Sequence, residues 1–331
     1  LYLSTYVADF LVGGGGLLGL GGLAQIAIAA TLVRWAFFFL LVFAVSMQKR
    51  GQALLTAAIA IEVVGGLLGF WGGFKDFFFI FVVAHLGARY RIRFHEVKWV
   101  LGVLAILLVA GLFWQTVKSE YRSFLTEGER SMRVQIDTRD QAERLWEMAK
   151  DTGWEDMKDA MDPTVDRIST ATIFFGEVVD YIPSERSYDG GAGWRAGIEH
   201  ILKPRLLFPN KPPVHASEIT NRYIARTVSG PEQGTSFSIG YFGESYADFG
   251  PIGMFVPIFL VGVMFGLMYR FFLVYSRLKV FGLAFVTAFL LSHLSGMPDI
   301  PKLLGLTITE FVVMSVILYF LGPTIYKYIQ R

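Results

Sequence analysis

The sequence predicts an all-α polytopic membrane protein, with at least seven transmembrane helices and a large, mainly helical periplasmic loop between the fourth and the fifth. Three observations carry this expectation. The 331 residues are 53% hydrophobic and only 18% charged, where a soluble domain carries about 25% charged residues. Runs such as 99–114 and 252–268 hold no formal charge, and a bilayer core demands roughly 20 such residues per helix because lipid cannot satisfy exposed backbone groups. The charges are also confined, since 22 of the 28 acids fall within residues 118–250. The apolar runs lack the two-residue alternation of a membrane β-barrel.

Seven spans follow in order, at about 35–48, 53–71, 76–88, 97–117, 251–274, 280–296 and 303–325. The 76–88 span is short for a bilayer. Residues 1–33 are apolar apart from Asp9, but the glycines at 13–16, 19, 21 and 22 make a poor isolated helix. A truncated span followed by a re-entrant or interfacial segment is expected there. The chain opens at Leu1 with no basic leader, which predicts further sequence upstream.

Charge orients these spans. Alternate connections hold Lys49 and Arg50; Arg89, Arg91, Arg93 and Lys98; Arg270, Arg277 and Lys279; and Lys327 and Arg331, against the single acid Glu96. The positive-inside rule makes that side cytoplasmic, with the C-terminus. The opposite side then receives Phe74–Asp76, residues 297–302 and the segment 118–250, which carries 16 basic and 22 acidic residues. The expected organisation is therefore an N-terminal membrane region (1–117), a periplasmic loop domain (118–250) and a C-terminal membrane region (251–331). A segment this long is seldom a passive connection. Apolar spacing predicts helices near 134–150, 164–182, 192–202 and 218–227, the last with Ser217 as N-cap. The prolines between Pro204 and Pro213 predict an extended stretch.

Several groups could carry chemistry. Lys203, Arg205 and Lys211, with His215 just beyond, interleave cations with apolar residues. They suit either lipid headgroups or a bound phosphate, which Arg and Lys grip with charge-assisted hydrogen bonds. Arg167 opens a helix, where it fits an ion pair with Asp166 or Asp162 as well as a phosphate contact. Lys75 follows Trp71-Gly-Gly-Phe74, with Asp76 as its obvious partner. Glu62 and Glu310 lie within apolar spans, where an ionisable residue either works or is neutralised by a proton or a neighbouring helix.

The stretch Ser236-Phe-Ser-Ile-Gly-Tyr-Phe-Gly-Glu-Ser-Tyr-Ala-Asp-Phe-Gly250 is the most distinctive. As a helix it places Tyr241, Glu244 and Asp248 on one face. Its carboxylates then serve either as a general base or sugar ligand, or as acids that complement a helix N-terminus. No Walker phosphate loop, HExxH zinc motif or Gly-x-Ser-x-Gly elbow occurs. Cysteine is absent, the five histidines show no paired ligand spacing, and nothing suggests nucleic acid.

Taken in order, Arg167, Tyr188-Asp-Gly-Gly191, Lys203-Pro-Arg-Leu-Leu-Phe-Pro-Asn-Lys-Pro212 and Gly240-Tyr-Phe-Gly-Glu-Ser-Tyr-Ala-Asp-Phe-Gly250 resemble the Wzy-type O-antigen and oligosaccharide repeat-unit polymerases. Trp71-Gly-Gly-Phe-Lys75 looks like that family's early Gly-Gly-cation element, with Lys in place of the expected Arg. The resemblance covers roughly residues 30–325.

It implies a glycosyltransferase of the bacterial inner membrane. The donor is a growing chain on polyprenyl pyrophosphate, and the acceptor is the terminal hydroxyl of a lipid-linked repeat unit. Arg167, Arg205 and Lys211, then Lys75 and Lys203, would stabilise charge on the departing pyrophosphate. Glu244 or Asp248, or else His215, would take the acceptor proton, and Tyr241 and Tyr246 would contact substrate. The implied arrangement needs no metal or other cofactor. A chain-length-regulating copolymerase and a flippase are the partners such an enzyme would have. An O-antigen ligase, a transporter of lipid-linked saccharides and an assembly scaffold are the competing classes. The absence of paired repeats speaks against the transporter.

Overall fold

The computed structural model describes residues 24–67, 75–89, 94–128, 134, 136–204, 207–208, 210–230, 236–276, 278–294 and 297–329. These form α1 (Ala24–Thr31), α2 (Val33–Gln48), α3 (Gln52–Leu67), α4 (Lys75–Gly87), α5 (Phe94–Leu125), α6 (Thr138–Asp151), α7 (Trp154–Asp159), α8 (Met161–Tyr181), α9 (Ala192–Ile201), α10 (Ala216–Tyr223), α11 (Gly240–Gly253), α12 (Phe255–Tyr275), α13 (Lys279–Leu294) and α14 (Ile300–Ile329). No strand occurs among the described residues. Four stretches, Ala29–Gln48, Val97–Leu125, Phe255–Tyr275 and Ile300–Pro323, are long and apolar enough to cross a membrane, while Gln52–Val63 and Lys279–His293 are apolar but shorter. Leu101, Ile106, Leu108, Phe259 and Leu267 are exposed, a pattern consistent with helices solvated by lipid.

The chain divides into two compact units, one of residues 1–40, 171–231 and 236–331, the other of 41–170 and 232–235. Helix α5 runs unbroken through 117, and α11 passes 250 with a kink.

In the second unit α3, α4, α6 and α7 pack in turn along α4 and α5. Ser46 lies 3.0 Å from Nδ1 of His85, whose ring stacks with both Phe81 and Trp99, which also stack with each other. The 32 residues of α5 make a rod of about 48 Å, longer than the ~30 Å hydrocarbon layer. Its last turns are held by Arg144 of α6, which pairs with Glu120, and by Thr116, which meets the Asp156 carbonyl of α7 at 3.4 Å. The helix therefore outlasts its apolar run, which the sequence places at 97–117.

The first unit holds α9–α14. Glycine lets α13 lie directly on α12, since a Cβ at Gly282 would stand 2.6 Å from the Phe272 carbonyl oxygen. Phe272, Phe285, Phe289 and Phe311 fill the space below. Gly250, with φ 73° and ψ −174°, interrupts α11 in a backbone region reserved for glycine. Pro251 then sits at the first position of the continuation, where its missing N–H costs nothing. A small core of Phe174, Val178, Ile182, Tyr223, Ile224, Ile239 and Tyr246 joins the end of α8 to α10 and α11.

Three local expectations need correction. Ser217 does not cap α10: His215 is the N-cap, and the buried Ser217 hydroxyl accepts the Phe237 amide at 3.0 Å. That helix stops at Tyr223 rather than 227, because Asn221 turns to bind both the Val228 amide and carbonyl. The proline stretch is not extended at its start, since the Leu207 and Phe208 amides fold back on the Pro204 carbonyl. Residues 1–23, 68–74 and 295–296, where parts of the expected N-terminal segment and of two spans fall, lie outside the described residues.

Candidate functional site

Helix α9 is the centre of the site, and its first turn shows why the surrounding sequence has to be glycine-rich. Gly190 and Gly191 take φ of 62° and 88°, which reverses the chain into the helix at little cost. A helix N-terminus leaves amides without partners, and here each is accounted for. The Ala192 amide donates to the Asp189 carbonyl at 3.3 Å and the Arg195 amide to Gly191. Between them, Gly193 and Trp194 donate at 3.0 and 2.9 Å to the two carboxylate oxygens of Asp248 on α11. A Cβ at Gly193 would sit 3.1 Å from that carboxylate, so any larger residue would push the carboxylate back by a few tenths of an ångström. Trp194 also donates its indole N–H to Ser245 at 3.0 Å.

The first turn of α14 is completed in the same way. Glu244 accepts the Ile300 amide at 3.1 Å, Pro301 has none to offer, and Asp299 accepts the Lys302 amide at 2.8 Å. The Tyr241 amide donates to the Pro298 carbonyl at 3.0 Å. Glu244 and Asp248, one turn apart, therefore hold the N-termini of two different helices. They are 3% and 1% exposed.

Burial sets the charge state of these acids. It is the main cause that pushes Glu244 up to about 8, reinforced by Asp299 and countered by the Ile300 amide. Asp248 is raised for the same reason, but the Trp194 and Gly193 amides and Arg195 pull it down.

Above this layer lies a second network. Arg186 donates to both oxygens of Asp189 at 3.0 and 3.1 Å, and the Tyr223 hydroxyl donates to Asp189 at 2.9 Å. Burial, then this hydrogen bond, holds the Tyr223 phenol well above the ordinary tyrosine range. The backbone amides of Asp189 and Gly190 donate to the Ala247 and Asp248 carbonyls at 3.0 and 2.9 Å. At the far end of α9 the Lys211 ammonium donates to the carbonyls of His200 and Lys203, the latter at 2.9 Å.

The expected site residues are distributed as follows. Glu244, Asp248, Lys211, Lys203, His215, Tyr241 and Tyr246 belong to the first unit. Lys203 is exposed, and Lys211, His215 and Tyr241 are half-buried. Tyr246 is buried, with its hydroxyl donated to the Ile182 carbonyl at 3.2 Å and its ring beneath the outward-facing Tyr188. Lys75, exposed at the start of α4, and Arg167, on α8 with its side chain undescribed, belong to the other unit. Arg205 lies outside the described residues.

Asp189, Asp299, Arg186 and Trp194 received no role from the sequence. Asp299 was readable, because Asp followed by Pro two residues later is a helix-start signature. Asp189 and Trp194 act through partners 34 and 54 positions away, which no local pattern marks, while Arg186 pairs with Asp189 three positions on. An apolar cavity of about 560 Å³ lined by Phe271, Tyr275, Phe281, Leu318 and Pro323 lies at the other end of α12–α14 and contains none of the expected residues.

No curated protein and no solved structure matches this chain. A family model, described as Domain of unknown function (DUF8712), matches residues 3–272, which include α9 and the α11 carboxylates. With most of its length covered by that model, the chain belongs to the DUF8712 family.

Proposed function

We propose that the protein is a glycosyltransferase that polymerises lipid-linked oligosaccharide repeat units at the periplasmic face of the bacterial inner membrane. One observation carries this reading. Three of the segments that resemble the repeat-unit polymerases, 188–191, 203–212 and 240–250, lie apart in sequence yet meet around α9: Asp189 and Gly190 bond to the backbone of Ala247 and Asp248, Asp248 holds the start of α9, and Lys211 holds its end.

In this reading the polyprenyl-pyrophosphate-linked chain is the donor. The acceptor hydroxyl of a lipid-linked repeat unit attacks the anomeric carbon, and the bond from that carbon to the diphosphate oxygen breaks. The electron pair leaves with the lipid diphosphate. Exposed Lys203, with Arg205 and Lys211, offsets its growing charge, as preorganised cations do in other transfers; Arg167 and Lys75, to which the resemblance gives the same task, belong to the other unit. Ten residues of α9 separate Lys211 from Asp248 by about 15 Å, too far for both to meet one reacting bond. Glu244 and Asp248 therefore act as positioning residues. His215, half-buried and four residues from Lys211, takes the acceptor proton, while Tyr241 and Tyr188 line the sugar side.

Polymer made in cells by correctly inserted variants tests the assignment. Lys203→Ala, which removes no helix cap, and Arg167→Ala are expected to cut yield and chain length at least about tenfold, the cost of one lost charge-assisted contact. His215→Ala is expected to abolish most of the remainder. Normal yield and length in all three would overturn it.

A further inference from the structure

A second buried polar cluster lies away from α9, between α13 and α14. Glu310 and His293 are 6% and 7% exposed at their side chains, with Oε2 and Nδ1 3.5 Å apart. The Ser292 hydroxyl joins them, 2.7 Å from Oε2 of Glu310 and 2.9 Å from Nδ1 of His293. Nδ1 is also 2.8 Å from the Phe289 carbonyl, and Nε2 is 2.7 Å from the Thr307 hydroxyl. The rings of Phe265 and Phe289 close around the imidazole at 5.2 and 5.0 Å.

The partners assign the protons. A carbonyl only accepts, so the Phe289 oxygen places a hydrogen on Nδ1, and Nε2 accepts from Thr307. Ser292 has one hydroxyl hydrogen and a carboxylate, a carbonyl and an imidazole within reach. An ionised carboxylate with one hydroxyl donor is costly in a dry interior. The pair is therefore a favourable place for one added proton, on Glu310 or on His293. His293 lies in the last turn of α13, where the helix dipole favours an imidazolium. Glu310 is ten residues into α14, about 15 Å below its start and so near the middle of a ~30 Å core.

We propose that Glu310, Ser292, His293 and Thr307 form an intramembrane proton-binding site, loaded from the α13–α14 end of the bundle. A proton arriving at Nε2 through Thr307 makes the imidazolium. Nδ1 then releases its hydrogen to Ser292 as the hydroxyl passes its own to Glu310. One proton enters, the hydroxyl is regenerated, the carboxylate becomes a carboxylic acid, and the imidazole ends as its Nε2–H tautomer, exchanging its Nδ1 bond to Phe289 for one donated to Thr307.

Among the neighbouring elements, α12 carries Arg270, five residues beyond Phe265, and α13 opens at Lys279. α1 has no titratable residue, and α12 presents Phe265. Among the described residues the hydrogen bonds of Glu310, His293 and Thr307 stay within α13 and α14. The site is thus separate from the α9 platform and stands whether or not the protein polymerises saccharide.

Infrared spectroscopy of the purified protein in lipid nanodiscs tests this without any activity assay. Between about pH 5 and about pH 9, a range bracketing ordinary carboxylate and imidazole titration, a protonated-carboxyl stretch should grow as pH falls. Glu310→Gln should remove it. His293→Gln should move its midpoint by about one pH unit or more, a ~10-fold change in proton affinity. If Glu310→Gln does not fold, Ser292→Ala decides, because loss of the hydroxyl donor must shift the frequency of a Glu310 band. A band that is absent, constant with pH, retained in Glu310→Gln, or unmoved by both His293→Gln and Ser292→Ala would overturn the proposal.

Discussion

Asp248 and Lys211 hold opposite ends of one helix. The carboxylate takes two amides at the start of α9 and the ammonium takes two carbonyls at its end, so each charge complements the helix dipole. A ten-residue helix is too short to be stable alone, and these two residues, 37 positions apart in sequence, fix where it lies.

Asp248→Ala should therefore lower stability by about 2 kcal/mol, the range for a lost buried cap with two amides left unsatisfied. Asp248→Asn keeps one acceptor oxygen and should lose about half of that. Thermal unfolding in detergent or nanodiscs, followed by helical circular dichroism, measures both.

The raised acid on α11 makes stability depend on pH. Glu244 titrates at about 8 when folded and in the ordinary carboxylate range when unfolded. Between those values the folded state binds the extra proton, so stability falls as pH rises, by up to ~1.4 kcal/mol per unit. The contribution is complete below about pH 4 and gone above about pH 8. Glu244→Gln keeps an acceptor for the Ile300 amide without the charge. Its unfolding temperature should change much less across that window, and exceed that of the wild type at alkaline pH.

Gly197 of α9 packs against Ile300 of α14 so closely that an added Cβ would stand 2.5 Å from Cγ2. Elsewhere in a helix Gly→Ala gains up to about 1 kcal/mol. Here Gly197→Ala should lose about 1–3 kcal/mol. Ile300→Ala alone opens a core cavity costing about 2–5 kcal/mol, but the double variant should lose less than the sum by more than about 0.5 kcal/mol. Unfolding midpoints of the four proteins give the coupling.

The absence of cysteine makes sidedness measurable with single substitutions. Lys203→Cys should react with a membrane-impermeant maleimide in cells whose inner membrane is intact, and Lys49→Cys only after that membrane is opened. The reverse pattern would place the α9 platform in the cytosol.

What could be read from the sequence follows from what is local. Helices α2, α12 and α14 announce themselves by apolar length, and α6 and α8 by apolar spacing, within a few residues of where they occur, while α5 is found by its apolar run but continues eight residues beyond it. The shared face of Tyr241, Glu244 and Asp248 was also legible, because α11 is a helix. Which task those acids perform was not. A cap supplied from the chain itself has a recognisable spacing, as at Asp299, whereas Asp248 caps a helix 54 residues earlier in the chain and Glu244 one 56 residues later. The same holds for Lys211, whose carbonyl partners become a target only once α9 has folded. Glu310 was flagged by its position in an apolar run, but its link to Ser292 and His293 depends on how two helices pack.

The most direct test supplies the purified protein, in lipid vesicles, with lipid-linked repeat units and nothing else. A polymerase should give a ladder of longer lipid-linked chains, with one lipid diphosphate released for each bond made. Unchanged repeat units would contradict the account. Transfer only after a lipid A-core acceptor is added would identify a ligase instead.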